Sequence, residues 1–310
     1  MGTQEFLKLV LPSTGQTVLG LVQVNDDGRS WFKWKNYPSP DEAARAALFF
    51  DNKGETVYFG VNSFGDWYDD EKTGKRRIRT QDNVVACRSL FDDFDVDVDK
   101  RDAYDTKQEA LQGAVELAKA IRLTPSIVNS GGGYHSYIHL DEDITPDAWE
   151  ELSAMKRDIT MHLGILADRA VDSDTARILR PIGVHNRKYE PPRLVELVKE
   201  GKVYSVDTVR TKLQEYIRDN NVQPAPTTRK AGAVNPFAAA LGDHPDSDAE
   251  AVARNCAAVR EFKESGGNIA EPHWHRAIGV VKFCTDGEAK IHEWSEGYEG
   301  YSKAETQEKI

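Results

Sequence analysis

The sequence predicts a mixed α+β protein: a core of interleaved strands and helices with an N-terminal α/β unit, then a small, mainly helical domain. Three observations predict it. Short β-branched and aromatic runs alternate with capped, periodically apolar helical stretches as far as Asn220. A polar, proline-bearing segment without periodicity, Val222-Gln-Pro-Ala-Pro-Thr-Thr-Arg-Lys-Ala-Gly, then interrupts the pattern as a linker. Only helical patterning follows. The expected domains are therefore 1–221, a linker at 222–237, and 238–310.

The elements follow from local chemistry. Ser39-Pro40-Asp41-Glu42 reads as an N-cap, an N1 proline and a capping-box glutamate, opening a helix to about Phe49. Thr56 to Asn62 (TVYFGVN) is a strand by its β-branched and aromatic content. Val84 to Val98 is expected as a strand ending in alternating carboxylates. Thr106-Lys-Gln-Glu109 caps a helix whose apolar stripe is Ala110, Leu111, Ala114, Val115, Ala118 and Ile121. Ser126 to Asn129 and Tyr134 to Leu140 read as strands joined by Ser130-Gly131-Gly132-Gly133, and Thr145-Pro146 opens a helix carrying Trp149, Leu152, Ile159 and Leu163. A helix is expected at about Asp207 to Asn220, and another from Ser247 to Glu264, closed by Gly266-Gly267. There is no internal repeat. The closing residues Glu305 to Ile310 read as mid-helix, so the natural chain is expected to continue.

Composition narrows the function classes. A hydrophobic content of 39% and a charged content of 29% are those of a globular domain. The absence of a spanning apolar run or secretion signal leads to the expectation of a cytoplasmic protein with no membrane partner. Cys87, Cys256 and Cys284 are too few and too scattered for a disulfide framework. A net charge of -11 argues against indiscriminate nucleic-acid binding but leaves room for a local basic groove, for which the run Lys72-Thr-Gly-Lys75-Arg76-Arg77-Ile-Arg79 is one candidate.

Three motifs carry chemistry. In Phe91-Asp92-Asp93-Phe94-Asp95-Val96-Asp97, strand alternation puts Asp93, Asp95 and Asp97 on one face, where their mutual repulsion calls for a hard divalent cation. Mg²⁺ or Mn²⁺ is expected; the following glycine and distal glutamate of an EF-hand are lacking. The second motif, Asn129-Ser130-Gly131-Gly132-Gly133-Tyr134-His135, offers backbone amides, a hydroxyl and an imidazole to a phosphate. It is neither a Walker loop nor a dinucleotide fingerprint, because its glycines precede a strand and no lysine follows. The third runs from Asp168 through Asp172 and Asp174 to Arg177-Ile-Leu-Arg180-Pro-Ile-Gly183-Val-His185-Asn186-Arg187-Lys188, and its cations suit a polyphosphate.

The order of these motifs resembles that of the archaeo-eukaryotic primase superfamily, and more narrowly of virus- and plasmid-encoded primase-polymerases, in which VYFGVN, an acidic strand, SGGGYH and LRPIGVHNRK stand in similar company. The resemblance covers roughly residues 40 to 190. It implies an RRM-like catalytic core with Asp93 and Asp95 as the metal pair and Asp168 as the third carboxylate. Asp97 is the alternate within the pair, and Asp172 or Asp174 the alternate for the third position. It further implies His135 on the incoming nucleotide's phosphates, helped by Ser130, Gly131 and Gly133, with Arg177, Arg180 and Lys188 on triphosphate or template. The implied activity is template-directed nucleotidyl transfer from an NTP or dNTP to a 3′-OH on DNA, with primer synthesis in viral or plasmid replication as a further activity the resemblance allows. Two metal ions would serve it, and a helicase domain or partner is possible. The rivals are a non-catalytic replication initiator of the same fold and a metal-dependent nuclease. In the C-terminal segment, Cys256, His273, His275, Cys284 and His292 lack the paired spacing of a zinc site. Cys256 is expected on the buried side of its helix, in a module similar to the primase C-terminal helical domain.

Overall fold

A computed structural model describes residues 1–25, 28–71, 73–100, 103–171, 173–224 and 247–309. The chain divides into two compact units, Met1–Thr227 and Thr228–Ile310. Most of the expected linker, 225–237, lies outside the described residues, as do Asp172 and Lys72.

The first unit begins with α1 (Thr3–Val10), β1 (Thr17–Val24), β2 (Ser30–Tyr37), α2 (Pro40–Asn52), β3 (Val57–Gly60), β4 (Ser63–Phe64), β5 (Tyr68–Asp69) and β6 (Arg76–Arg77). Then come β7 (Val84–Phe94), α3 (Lys107–Ala120), β8 (Ser126–Asn129), β9 (Tyr134–Ile144) and α4 (Pro146–His162). It ends with β10 (Ile178–Leu179), β11 (His185–Asn186), β12 (Arg193–Leu194), β13 (Glu196–Lys199), β14 (Val203–Tyr204) and α5 (Val206–Asp219).

Two sheets position the site. One has the order β10-β3-β1-β2; the other runs β13-β8-β9-β7-β4, with β14 joined parallel to β9. The architecture is α+β. The N-caps read in the sequence are in place: Ser39 accepts from the Glu42 amide, which is half of the expected capping box, Thr106 and Glu109 cap reciprocally, and Thr145 accepts from the Ala148 amide. These caps aim α2, α3 and α4 across the sheets. From α2, Ala43, Ala44 and Ala47 are buried; from α4, Trp149 is buried against Phe91 with ring centroids 5.2 Å apart. The Trp149 indole donates to the Ser89 carbonyl at 2.8 Å, tying α4 to the central strand β7.

Three expectations need correction. The acidic strand ends at Phe94, not Val98, because its partner β9 begins opposite it at Tyr134 and the ladder runs out there. Beyond Phe94 the chain turns: the Asp97 amide donates to the Tyr104 carbonyl, and the Asp97 carboxylate accepts from the Asp99 amide. Asp97 thus belongs to a turn and shares no strand face with Asp93. The expected helix from Ser247 to Glu264 is two, α6 (Ala249–Asn255) and α7 (Ala257–Glu264), separated by Cys256, whose extended backbone (φ -114°, ψ 115°) interrupts the ladder. Cys256 is partly buried against the apolar cluster of its unit rather than fully enclosed.

That second unit adds α8 (Glu271–Val281), α9 (Gly287–Ser295) and α10 (Lys303–Lys309) around Val259, Phe262, Ile278, Val281, Ile291 and Trp294. No helix among the described residues is long and apolar enough to cross a membrane.

Candidate functional site

The register of β7 against β9 pairs Asp93 with His135 and Asp92 with Ser136. Alternation sends the neighbours Asp92 and Asp93 to opposite faces. Asp92 points into the core, where the buried Lys156 ammonium of α4 pairs with it and the Ser136 hydroxyl donates to it at 2.9 Å. Lys156 also donates to the Phe91 carbonyl at 3.1 Å, so α4 grips β7 on either side of one peptide. Asp93 points the other way, into a pocket of about 360 Å³ lined by Phe32, Tyr58, Arg79, His135, Asp174, Arg177 and Arg180 among others.

The carboxylates converge at this end of β7. The Asp168 amide donates to the Asp93 carbonyl at 2.9 Å, joining the third acidic motif to the first. Asp95 and Asp168 line an adjoining hollow with Lys100 and Arg169. Burial pushes the Asp93 carboxyl up to about 7, with the negative charges of Asp95 and Asp168 adding to the rise and Arg177 and Arg180 opposing it. Two of the three carboxylates hold cations of the protein's own: Lys100 reaches Asp95 at 3.1 Å, and Arg177 reaches Asp168 at 2.7 Å. With these partners in place, no three His, Cys, Asp or Glu side chains among the described residues are gathered as a ready metal cage. The donor set is nevertheless all carboxylate oxygen, the chemistry of a hard divalent ion.

His135 is buried, 3.8 Å from Asp93 through Nε2, with Nδ1 3.3 Å from the Tyr137 hydroxyl. Burial, reinforced by Arg180 and Arg177 and opposed by Asp95, brings its pKa down to about 3, so the imidazole is neutral at physiological pH.

The structure separates the remaining expected residues. Arg177 and Arg180 line the pocket, while Lys188 is exposed, its amide bonded to the Asn186 side chain. Asp174 lines the pocket too, but its carboxylate is bonded to Gln81 and to the Ala176 amide. In the glycine turn, the Ser130 hydroxyl accepts from the Gly133 amide at 3.1 Å, and the Ser130 and Gly131 carbonyls accept from Asn186 and Arg193. A Cβ on Gly133 would lie 2.1 Å from the Phe94 carbonyl. Gly133 therefore lets β9 approach the tip of β7, and Gly131 takes a left-handed φ of 87°. Packing against the acidic strand explains this glycine run without a phosphate.

Sequence reasoning missed Tyr58, Phe32, Tyr137 and the role of Arg79. Tyr58 had a signal in the alternation of VYFG, which sends it to the face opposite the buried Val57 and Phe59. The other wall residues had none, because they meet only through sheet pairing.

No protein-family model and no curated protein matches the sequence. Solved structures do. The chain is similar to the AEP domain of the cyanophage S-2L primase-polymerase, at 14% identity and a TM-score of 0.42 over 64% of this chain and 89% of that one. It is similar to primase RepB′ at 12% identity and a TM-score of 0.39, over 99% of this chain and 97% of that one. The polymerase domain of Mycobacterium tuberculosis Ligase D in complex with DNA is similar at 14% identity and a TM-score of 0.36, over 70% and 86% of the two chains. These are primase and polymerase domains. What this pocket can do follows from its own residues.

Proposed function

We propose that the chain is a primase-polymerase of the archaeo-eukaryotic superfamily, a metal-dependent nucleotidyltransferase that adds an NTP or dNTP to a template-paired 3′ end on DNA. The observation that carries the reading is one pocket in which a desolvated aspartate, with Asp95 and Asp168 near it, faces two arginines and a neutral histidine. Polyphosphate transfer needs that pairing, since negative charge must be held at one end while oxygen ligands are offered at the other.

In this reading Asp93, Asp95 and Asp168 would hold divalent ions, Mg²⁺ or Mn²⁺. Such ions would activate a primer 3′-oxygen and neutralise the departing pyrophosphate. The chain's own residues do the rest. Arg177 and Arg180 bind the phosphate oxygens of the incoming nucleotide, with planar donors suited to them. With the Tyr137 hydroxyl as the donor to Nδ1 of His135, the neutral imidazole would carry its proton on Nε2 and offer it to a phosphate oxygen.

The test is extension of a labelled primer on a DNA template with Mg²⁺ or Mn²⁺, by wild type and Asp95→Asn. The reading requires extension by wild type, abolished in the variant with its melting temperature kept. Degradation of the primer without added nucleotides would point to a nuclease. DNA binding without either reaction would point to a non-catalytic initiator.

A further inference from the structure

The basic run ending at Arg79 has no part in the chemistry above, yet its last residue lines the same pocket as Asp93, His135, Arg177 and Arg180. The neighbouring Arg76 is exposed, its guanidinium over Trp67, whereas the Arg79 guanidinium lies 4.6 Å from the ring centroid of Trp34 and donates to the Ala176 carbonyl. Trp34 is itself held flat. Phe32 stacks on it with centroids 5.0 Å apart and planes 17° from parallel, and a Cβ at Gly20 beneath would lie 2.5 Å from the indole. Gly20 is thus the gap in β1 that lets the indole lie down and carry Arg79 towards the pocket. Arg180 is presented in the same way, its guanidinium 4.4 Å from the centroid of Tyr58 and bonded to the tyrosine hydroxyl.

Charge pairing separates the three arginines. Arg177 is paired with Asp168. Among the described residues neither Arg79 nor Arg180 forms an ion pair, and the Nε of each is buried without a hydrogen-bond partner. Asp174, whose charge acts on Arg79, is occupied by Gln81 and the Ala176 amide. A half-buried guanidinium normally finds a carboxylate, because desolvating it unpaired is costly. Here two are held by aromatic faces, which fix the plane of the fork without neutralising it.

We propose that Arg79 is an anion-binding residue for the nucleotide's polyphosphate, which is gripped between the stacked guanidiniums of Arg79 and Arg180 on the wall opposite Asp93. The inference rests on the nucleotide reading of this pocket. It adds a residue from the loop after β6, carried on Trp34 of the N-terminal sheet, so that this sheet takes part in substrate binding as well as support.

The experiment measures binding of inorganic tripolyphosphate to the full chain, without primer or template, for wild type, Arg79→Gln, Arg79→Lys and Arg76→Gln, with melting temperatures alongside. Loss of one charge-assisted guanidinium contact predicts affinity weakened about tenfold in Arg79→Gln. Arg79→Lys, which keeps the charge and loses the stack, falls between it and wild type; Arg76→Gln stays at the wild-type value. Three results overturn the proposal: wild type that does not bind tripolyphosphate, Arg79→Gln binding within twofold of wild type, or Arg76→Gln losing as much. A merely structural Arg79 would change melting temperature with affinity unmoved in Arg79→Lys, which decides the matter if Arg79→Gln does not fold. Wild type that extends primers while Arg79→Gln binds normally sinks this inference alone. Wild type that never extends primers while Arg79→Gln loses tripolyphosphate sinks the polymerase reading and leaves the anion site standing.

Discussion

The two sheets that meet at the pocket hold charge of opposite sign by different means. On the β7 and β9 wall, Asp93 is desolvated beside Asp95 and Asp168, and its carboxyl is driven up to about 7. On the wall formed by β1, β2, β3 and β10, Arg79 and Arg180 lie on Trp34 and Tyr58 without an ion pair among the described residues. Elsewhere in the same unit buried charge is conventionally matched: Asp92 with Lys156, and Asp51 with Arg187 and His185. The pocket differs from these in part: Asp95 and Asp168 hold Lys100 and Arg177, but Asp93 has only the neutral His135 beside it, and among the described residues Arg79 and Arg180 form no ion pair, an arrangement that costs stability and is relieved by a cation on one wall and an anion on the other.

That contrast can be broken at several points. The largest effect is expected from Asp93→Asn, which should lower nucleotide incorporation by about a thousandfold or more while leaving the melting temperature equal to or above wild type, since it removes repulsion. A loss of stability in parallel with activity would show that Asp93 is a structural group. Lys156→Met acts on the matched pair behind it and should destabilise the first unit by about 3–5 kcal/mol by leaving Asp92 buried and unpaired, as read by denaturant unfolding. Combining it with Asp92→Leu should restore much of that stability. His135→Ala should weaken apparent nucleotide affinity about tenfold to a hundredfold, with a smaller change in kcat. Gly133→Ala should cost about 1–3 kcal/mol, because its methyl group would meet the Phe94 carbonyl and push the tip of β7 aside. Activity should fall with it, and tripolyphosphate binding should fall less than activity; an equal loss would return the turn to a phosphate role. The smallest effect concerns pH. Burial raises the Asp51 carboxyl, but hydrogen bonds from Arg187 and His185 outweigh it and hold the group below the usual carboxylate range. Its contribution to stability is therefore complete above that range and lost as pH falls through the depressed value, so Asp51→Asn should flatten the acid limb of a melting-temperature profile.

The acidic wall was legible in the sequence and the basic wall only half so. Asp93, Asp95 and Asp168 stand in local motifs, and their grouping was implied by the order of those motifs, whereas strand alternation placed only Asp93, since β7 ends at Phe94 and Asp168 arrives by an amide bond to the Asp93 carbonyl; the caps at Ser39, Thr106 and Thr145 were written in four-residue signatures. Arg177 and Arg180 were found by their spacing. Arg79 and Tyr58 were not, because Tyr58 reaches the site through the pairing of β3 with β10, and Arg79 through its stack on Trp34 of β2. Composition instead makes Arg79 one cation in a solvated run. The glycine turn misled in the opposite direction: three glycines offer amides to a phosphate in the sequence, but only coordinates reveal that Gly133 faces the Phe94 backbone. The strand boundary at Phe94 was hidden for a related reason, since alternation continues to Val98 while the partner strand does not.

The most direct test of the two-walled site is the affinity of the full chain for a non-hydrolysable nucleoside triphosphate, with and without Mn²⁺, in wild type and Asp95→Asn. The account predicts at least tenfold tighter binding with Mn²⁺ in wild type, absent in Asp95→Asn, with the metal-free affinity unchanged between the two. Binding that is indifferent to Mn²⁺ in wild type, or equally Mn²⁺-dependent in both proteins, would contradict it.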